Sequence, residues 1–146
     1  MPGMMVGGKW KTERQWQTTD VRCETRFRAW VSADGSGSLP AAAGCYHLYI
    51  AWACPWAHRT AILRKLEGTV GLSAVGPFIM GEDDWAFYEE PGFIPVTVNG
   101  AHHLREVHTR ADPGYTGRVT TPLLFDKATG SIPGLTGPHD RPRLSG

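Results

Sequence analysis

The sequence predicts an α/β domain made of a βαβ unit followed by a β hairpin, and three features carry that prediction. The run Tyr46-His47-Leu48-Tyr49-Ile50-Ala51 is aromatic-rich and apolar on both faces, as a strand inside a sheet is. From Pro55 the pattern takes on a helical period that Gly68 closes, and Leu72 to Val75 then returns as a second strand. A third strand, Arg118 to Asp126, is entered through Pro122, with Gly130-Ser131-Ile132 as its hairpin partner.

Each element has its local reason. Proline is tolerated at the first position of a helix, so Pro55 opens one and Cys54 becomes its N-cap. Trp56, Thr60 and Leu63, with Ile62 and Leu66, form the broad face expected to be buried, opposite Arg59, Arg64 and Lys65. Residues 77–117 are dense in proline and glycine, which predicts a long, mostly irregular insertion relieved by a short helix around His102 to Thr109. Loops of that length are uncommon unless they serve a function. The boundaries expected are a disordered or loosely packed arm over 1–21, a domain over 22–132 and a disordered tail over 133–146, where three prolines follow without apolar period. Within the domain, a turn cluster from Asp34 to Pro40 separates Arg26-Phe27-Arg28-Ala29-Trp30 from the first strong strand.

Composition narrows the class. A chain of 146 residues, 41% hydrophobic and 20% charged, suits one globular domain, and 18 glycines and 11 prolines fit the long loops. A formal charge of +1 supplies no basic surface for nucleic acid or an anionic membrane, so neither partner is expected. No run approaches the roughly 18 apolar residues of a membrane span, and the first residues lack the pattern of a signal peptide, so a cytoplasmic home is expected. There the three cysteines, Cys23, Cys45 and Cys54, stay as thiols.

Cys54 is the residue placed for chemistry. A thiol attacks only as the thiolate, and the unpaired amides that open a helix favour a negative charge on the sulfur they face. His58 and Arg59, one turn on, add positive potential if they lean the same way. The ordinary alternative is a buried structural cysteine, but strand, Cys, Pro and helix in succession is a narrower pattern. Ala57 stands where a dithiol oxidoreductase would have its second cysteine, so the chemistry is monothiol and an external thiol must release an oxidised Cys54, glutathione being the abundant one. Metal binding by Cys45, His47, Cys54 and His58 is not expected, because an extended strand places Cys45 and Cys54 on the order of 20 Å apart. His102, His103 and His108 read as loop residues.

Arg26-Phe27-Arg28-Ala29-Trp30, Tyr46-His47-Leu48-Tyr49, Cys54-Pro55-Trp56-Ala57-His58-Arg59-Thr60, the block from Ala111 to Thr120 with Tyr115-Thr116-Gly117-Arg118-Val119-Thr120, and Asp126-Lys127 together closely resemble the glutathionyl-hydroquinone reductases, the Xi class of glutathione transferases. The resemblance covers about residues 22 to 132. It implies a thioredoxin-like domain followed by an all-helical domain, usually as a homodimer, that removes glutathione from glutathionylated hydroquinones through a mixed disulfide on the residue matched by Cys54. It further implies that Trp85 lies against bound glutathione, that Arg118 meets a glutathione carboxylate, and that Pro122 is held cis so that Thr121, where the family usually has valine, offers its backbone to the tripeptide.

The departures are as informative. Where the family continues with the Asn-Glu-Ser stretch that opens its last thioredoxin-like helix and holds the γ-glutamyl end of glutathione, this sequence has Thr136 and Gly137 in place of the Glu and Ser. The expectation is therefore a truncated version, lacking that last helix and the helical domain, with glutathione as co-substrate and no metal. Two further readings follow from those losses: a non-catalytic fragment, and a glutaredoxin-like deglutathionylase that needs less of a quinol pocket.

Overall fold

The computed structural model describes residues 3–11, 31–32, 36, 39–67, 69–76, 85–91 and 93–133. Its centre is a three-stranded sheet. Strand β5 (Tyr46–Ala51) lies between β6 (Gly71–Val75), parallel to it, and β7 (Leu123–Asp126), antiparallel to it. Helix α1 (Pro55–Glu67) connects β5 to β6, completing the expected βαβ unit. Helix α2 (Leu104–Ala111) lies in the long connection to β7, where a short helix was expected. Four short strands precede the sheet: β1 (Met4–Val6) pairs antiparallel with β2 (Lys9–Lys11), and β3 (Val31–Ser32) pairs parallel with β4 (Leu39–Pro40). The segment Arg26 to Trp30 lies outside the described residues.

All six residues of β5 are buried, so both faces of the sheet are covered at its middle strand. On one face Tyr49 and Ala51 pack with Leu104 and Val107 of α2, with Phe87, and with Leu123 and Phe125 of β7. Tyr49 is tilted against His47 and Phe87 at centroid separations of 4.9 and 5.6 Å and meets Phe125 edge-on, contacts worth about 0.5–1.5 kcal/mol each beyond simple burial. On the other face Leu48 and Ile50 pack with Ala57 and Ala61 of α1. The insertion is tied to the sheet by polar bonds as well. Ser73 Oγ donates to the carbonyl of Pro95 at 2.9 Å, so the 2.7 Å contact between His47 Nε2 and that same oxygen has the imidazole as donor. Ala74 and Ile94 add a backbone bridge beside it.

Five expectations are corrected. The arm read over 1–21 is not loose at residues 4–11, because Gly7 and Gly8, both at positive φ, close a tight hairpin that drives Met5 into the core. Helix α1 does not bury its large residues: Trp56, Ile62 and Leu63 are 69%, 62% and 59% exposed, while Ala57 and Ala61 face the sheet. The helix leaves β5 after a three-residue turn in which Cys54 packs on the core, and that contact sets its rotational phase. Cys54, Ala57 and Ala61 then share the inner face, and their small side chains let the helix approach. The hairpin partner of β7 shrinks to one bridge, Asp126 to Ser131, because the Asp126 carboxylate accepts from the amides of Ala128 and Thr129 and curls the chain into a turn. His108 is a buried residue of α2, not of a loop, and Pro133, assigned to the tail, is buried beside Ile132. Residues 134–146 lie outside the described part.

Candidate functional site

The site is built where β5 ends and β7 begins. Neighbouring strands run less than about 5 Å apart, so the residues just past Ala51 and just before Leu123 must meet. The register pairs Tyr49 with Leu123, which sets Thr121 and Pro122 alongside the end of β5. Beyond Ala51 the chain turns through Trp52 and Ala53, with the Cys54 amide donating to the Ala51 carbonyl at 3.0 Å. The Cys54 carbonyl then accepts from the Ala57 amide at 3.1 Å and α1 starts at Pro55. Cys54 therefore caps the helix as expected.

Its sulfur is a free thiol, half-buried, and touches both core clusters, so it sits at the rim where the two layers of side chains meet. The Sγ donates to the carbonyl oxygen of Thr121 at 3.4 Å. The Thr121–Pro122 peptide is cis, as the resemblance implied. Thr121 Oγ1 is buried with no hydrogen-bond partner among the described residues. A sulfur at a helix N-terminus beside the main chain of an extended segment is an arrangement that can seat the backbone of a short peptide next to it.

The other candidates are distributed around this pair. Arg118 lies three residues before Thr121, which bounds their Cα separation at about 11 Å. Its side chain is exposed and has no hydrogen-bond or ion-pair partner among the described residues. Trp85 is half-buried against the same cluster as Cys54, its carbonyl accepting from the Leu104 amide at 2.8 Å, which fastens it to the start of α2. His58 and Arg59 do not lean toward the sulfur. The His58 ring bonds the Trp52 carbonyl at 2.8 Å, and the Arg59 guanidinium lies over the Trp56 ring at 5.9 Å. Trp52 and Trp56, two residues before and two after Cys54 in the chain, are instead both exposed, whereas the helical pattern had put Trp56 on the buried face.

An apolar hollow of about 370 Å³ between Tyr46, Val70 and Leu124 lies at the far end of β5, and without converging polar groups it has no part in this chemistry. Among the described residues no three His, Cys, Asp or Glu side chains gather as a metal would need, and no helix is long and apolar enough to cross a membrane.

The chain is similar to known proteins over most of its length. The glutathionyl-hydroquinone reductase PcpF of Sphingobium chlorophenolicum is 40% identical over 134 residues, which cover 86% of this chain and 41% of that protein. An Xi-class glutathione transferase from Natrialba magadii superposes with a TM-score of 0.77 at 40% identity, over 90% of this chain and 41% of that one. The chain is a homologue of the Xi-class glutathione transferases. YqjG of Escherichia coli K-12, also a glutathionyl-hydroquinone reductase, is 37% identical over 89% of this chain and 44% of its own, and its glutathione-bound structure superposes with a TM-score of 0.71. The thioredoxin-like glutathione transferase fold is thus the fold of this Xi-class homologue, which spans about two-fifths of the length of these relatives. No protein-family model matches it.

Proposed function

We propose that this chain uses Cys54 to take glutathione off a glutathionylated hydroquinone. The observation that carries the reading is the Cys54 sulfur at the opening of α1, in contact with the carbonyl that precedes the cis proline. The substrate's glutathione part lies extended along residues 118–121. The Thr121 main chain pairs with its cysteinyl backbone, the Arg118 fork meets a carboxylate, and Trp85 packs against the tripeptide.

The thiolate of Cys54 attacks the glutathione sulfur of the conjugate, forming an S–S bond as the bond from that sulfur to the ring carbon breaks. The electron pair stays with the ring carbon, which takes a proton from solvent, and the hydroquinone leaves. A second glutathione thiolate attacks the glutathione sulfur of the mixed disulfide, oxidised glutathione departs, and Cys54 returns as the thiolate. The conjugate is reduced and two glutathiones are oxidised. Similarity to PcpF and YqjG supports the reaction class. The exposed Trp52 and Trp56 rings suit an aromatic leaving group.

The test compares the parent chain with Cys54→Ala for release of hydroquinone from a glutathionyl conjugate and for one-to-one glutathione binding by calorimetry. Loss of turnover with binding retained is the expected result. Equal rates in the two proteins reject Cys54 as nucleophile, and absence of both binding and turnover in the parent rejects the reading as a whole. Turnover of a glutathionylated peptide without turnover of the quinol conjugate moves the assignment to protein deglutathionylation.

A further inference from the structure

We infer that the N-terminal hairpin is a positioning strap that holds the Arg118 side chain outward at the glutathione site, an inference that rests on the reading of Arg118 given above. The segment from Tyr115 to Thr120 alternates in burial: Tyr115, Gly117 and Val119 are inside, Arg118 and Thr120 are exposed, and Thr116 lies between. It behaves as an extended segment, with side chains turning over at every residue. A slip of one residue in its register would turn Arg118 into the core and Gly117 or Val119 out.

What pins that register is the hairpin. The Met5 amide donates to the Gly117 carbonyl at 2.9 Å and the Gly117 amide returns a bond to the Met5 carbonyl at 3.0 Å. One turn further, the Gly8 amide donates to the Tyr115 carbonyl at 3.0 Å and the Gly7 amide to Thr116 Oγ1 at 2.9 Å. The Met5 side chain, 1% exposed, is held in the same cluster as Tyr115, at the start of the bonded stretch, and Val119, just beyond its end. Within the segment the Tyr115 hydroxyl donates to the Arg118 carbonyl at 2.8 Å, which carries the hairpin's hold to Arg118 itself.

The seat requires Gly8. Its φ is +77°, and a Cβ there would lie 2.0 Å from the carbonyl oxygen of Pro113, so the two backbones abut with no room for a side chain. Gly44 has a similar φ of +75° with nothing near its missing Cβ, which makes it a control for backbone strain alone.

The experiment measures glutathione affinity by calorimetry and amide hydrogen exchange in the parent, Gly8→Ala, Gly44→Ala, Arg118→Gln and the double variant Gly8→Ala/Arg118→Gln. Gly8→Ala is expected to weaken glutathione about tenfold and to speed exchange at Met5 and Gly117, while the amides of β5 and β6 stay protected. Gly44→Ala is expected to bind as the parent does. The double variant is expected to bind no more weakly than Arg118→Gln, because the strap acts through that side chain. Additive losses in the double variant, or an unchanged affinity in Gly8→Ala, overturn the inference. If Gly8→Ala does not fold, Thr116→Val, which removes one strap bond without touching the main chain, decides it by a smaller shift in the same direction or by none. If the parent binds no glutathione the proposed function fails, and the strap is judged on exchange at Gly117 alone, where retained protection in Gly8→Ala refutes it.

Discussion

The two helices flanking the sheet are held in opposite ways. Helix α2, only eight residues long, buries Leu104, Val107 and His108 and forms a wedge of the core. Helix α1, thirteen residues long, turns Ala57 and Ala61 inward and presents Trp56, Ile62 and Leu63 to solvent. Side-chain burial fixes α2, whereas α1 is fixed by its covalent link to β5 and by the packing of Cys54. The longer helix is a platform for Cys54, and the shorter one supplies more of the fold's apolar burial.

The sharpest test of that difference is Leu104→Ala. Its side chain is fully buried, and such truncations cost about 2–5 kcal/mol, a large part of the roughly 5–15 kcal/mol that holds a domain together. The urea midpoint should fall accordingly with the slope unchanged. A loss below about 1 kcal/mol would mean that α2 is not the wedge described.

Acid should also act on α2. Burial pushes His108 down to about 4 against the opposing bond from its Nδ1–H to the Leu104 carbonyl, and His47 goes to about 4 through burial assisted by the charges of Lys127 and Arg64. Both are neutral in the fold, whereas an unfolded histidine takes up a proton near 6.5. Their contribution is complete above that pH and is lost as pH falls toward 4, by about 2 kcal/mol each at pH 5. For Glu106 burial raises the pKa, but bonds from the His102 amide and the His103 ring hold it below its usual value, so its share is lost only as pH falls below about 4.5. Urea midpoints at pH 7 and pH 5 check this, and His108→Leu should remove about half of the difference. An undiminished acid loss in that variant would place the sensitivity elsewhere.

How much of this was legible follows the same divide. The βαβ core, the cap at Cys54 and the cis Thr121–Pro122 peptide were readable because each depends on a few neighbouring residues or on a resemblance carried by them. The outward face of α1 was not, since its phase is set by where the sulfur packs and a helical wheel shows only which residues share a face. The hairpin left a local signal, Gly7-Gly8 between two short alternating runs, but the importance of Met5 lies in a bridge to Gly117, more than a hundred residues away. The directions of His58 and Arg59 were equally out of reach, because a backbone carbonyl in the turn before the helix and an indole face in its first turn take them.

The smallest expected effect tests α1 on its own terms. Leu63 is mostly exposed, and glutamine is nearly as good a helix former as leucine, so Leu63→Gln removes apolar surface without disturbing the helix. Substitutions of that kind stay within about 0.5 kcal/mol, and the urea midpoint should scarcely move. A loss comparable to that of Leu104→Ala would mean that Leu63 is buried in solution against another copy of the chain. The transition would then depend on protein concentration, as it does when folding is coupled to association. A concentration-independent midpoint unchanged by the substitution leaves α1 as described, a helix whose inner face is made of small residues and whose phase is set by the sulfur at its start.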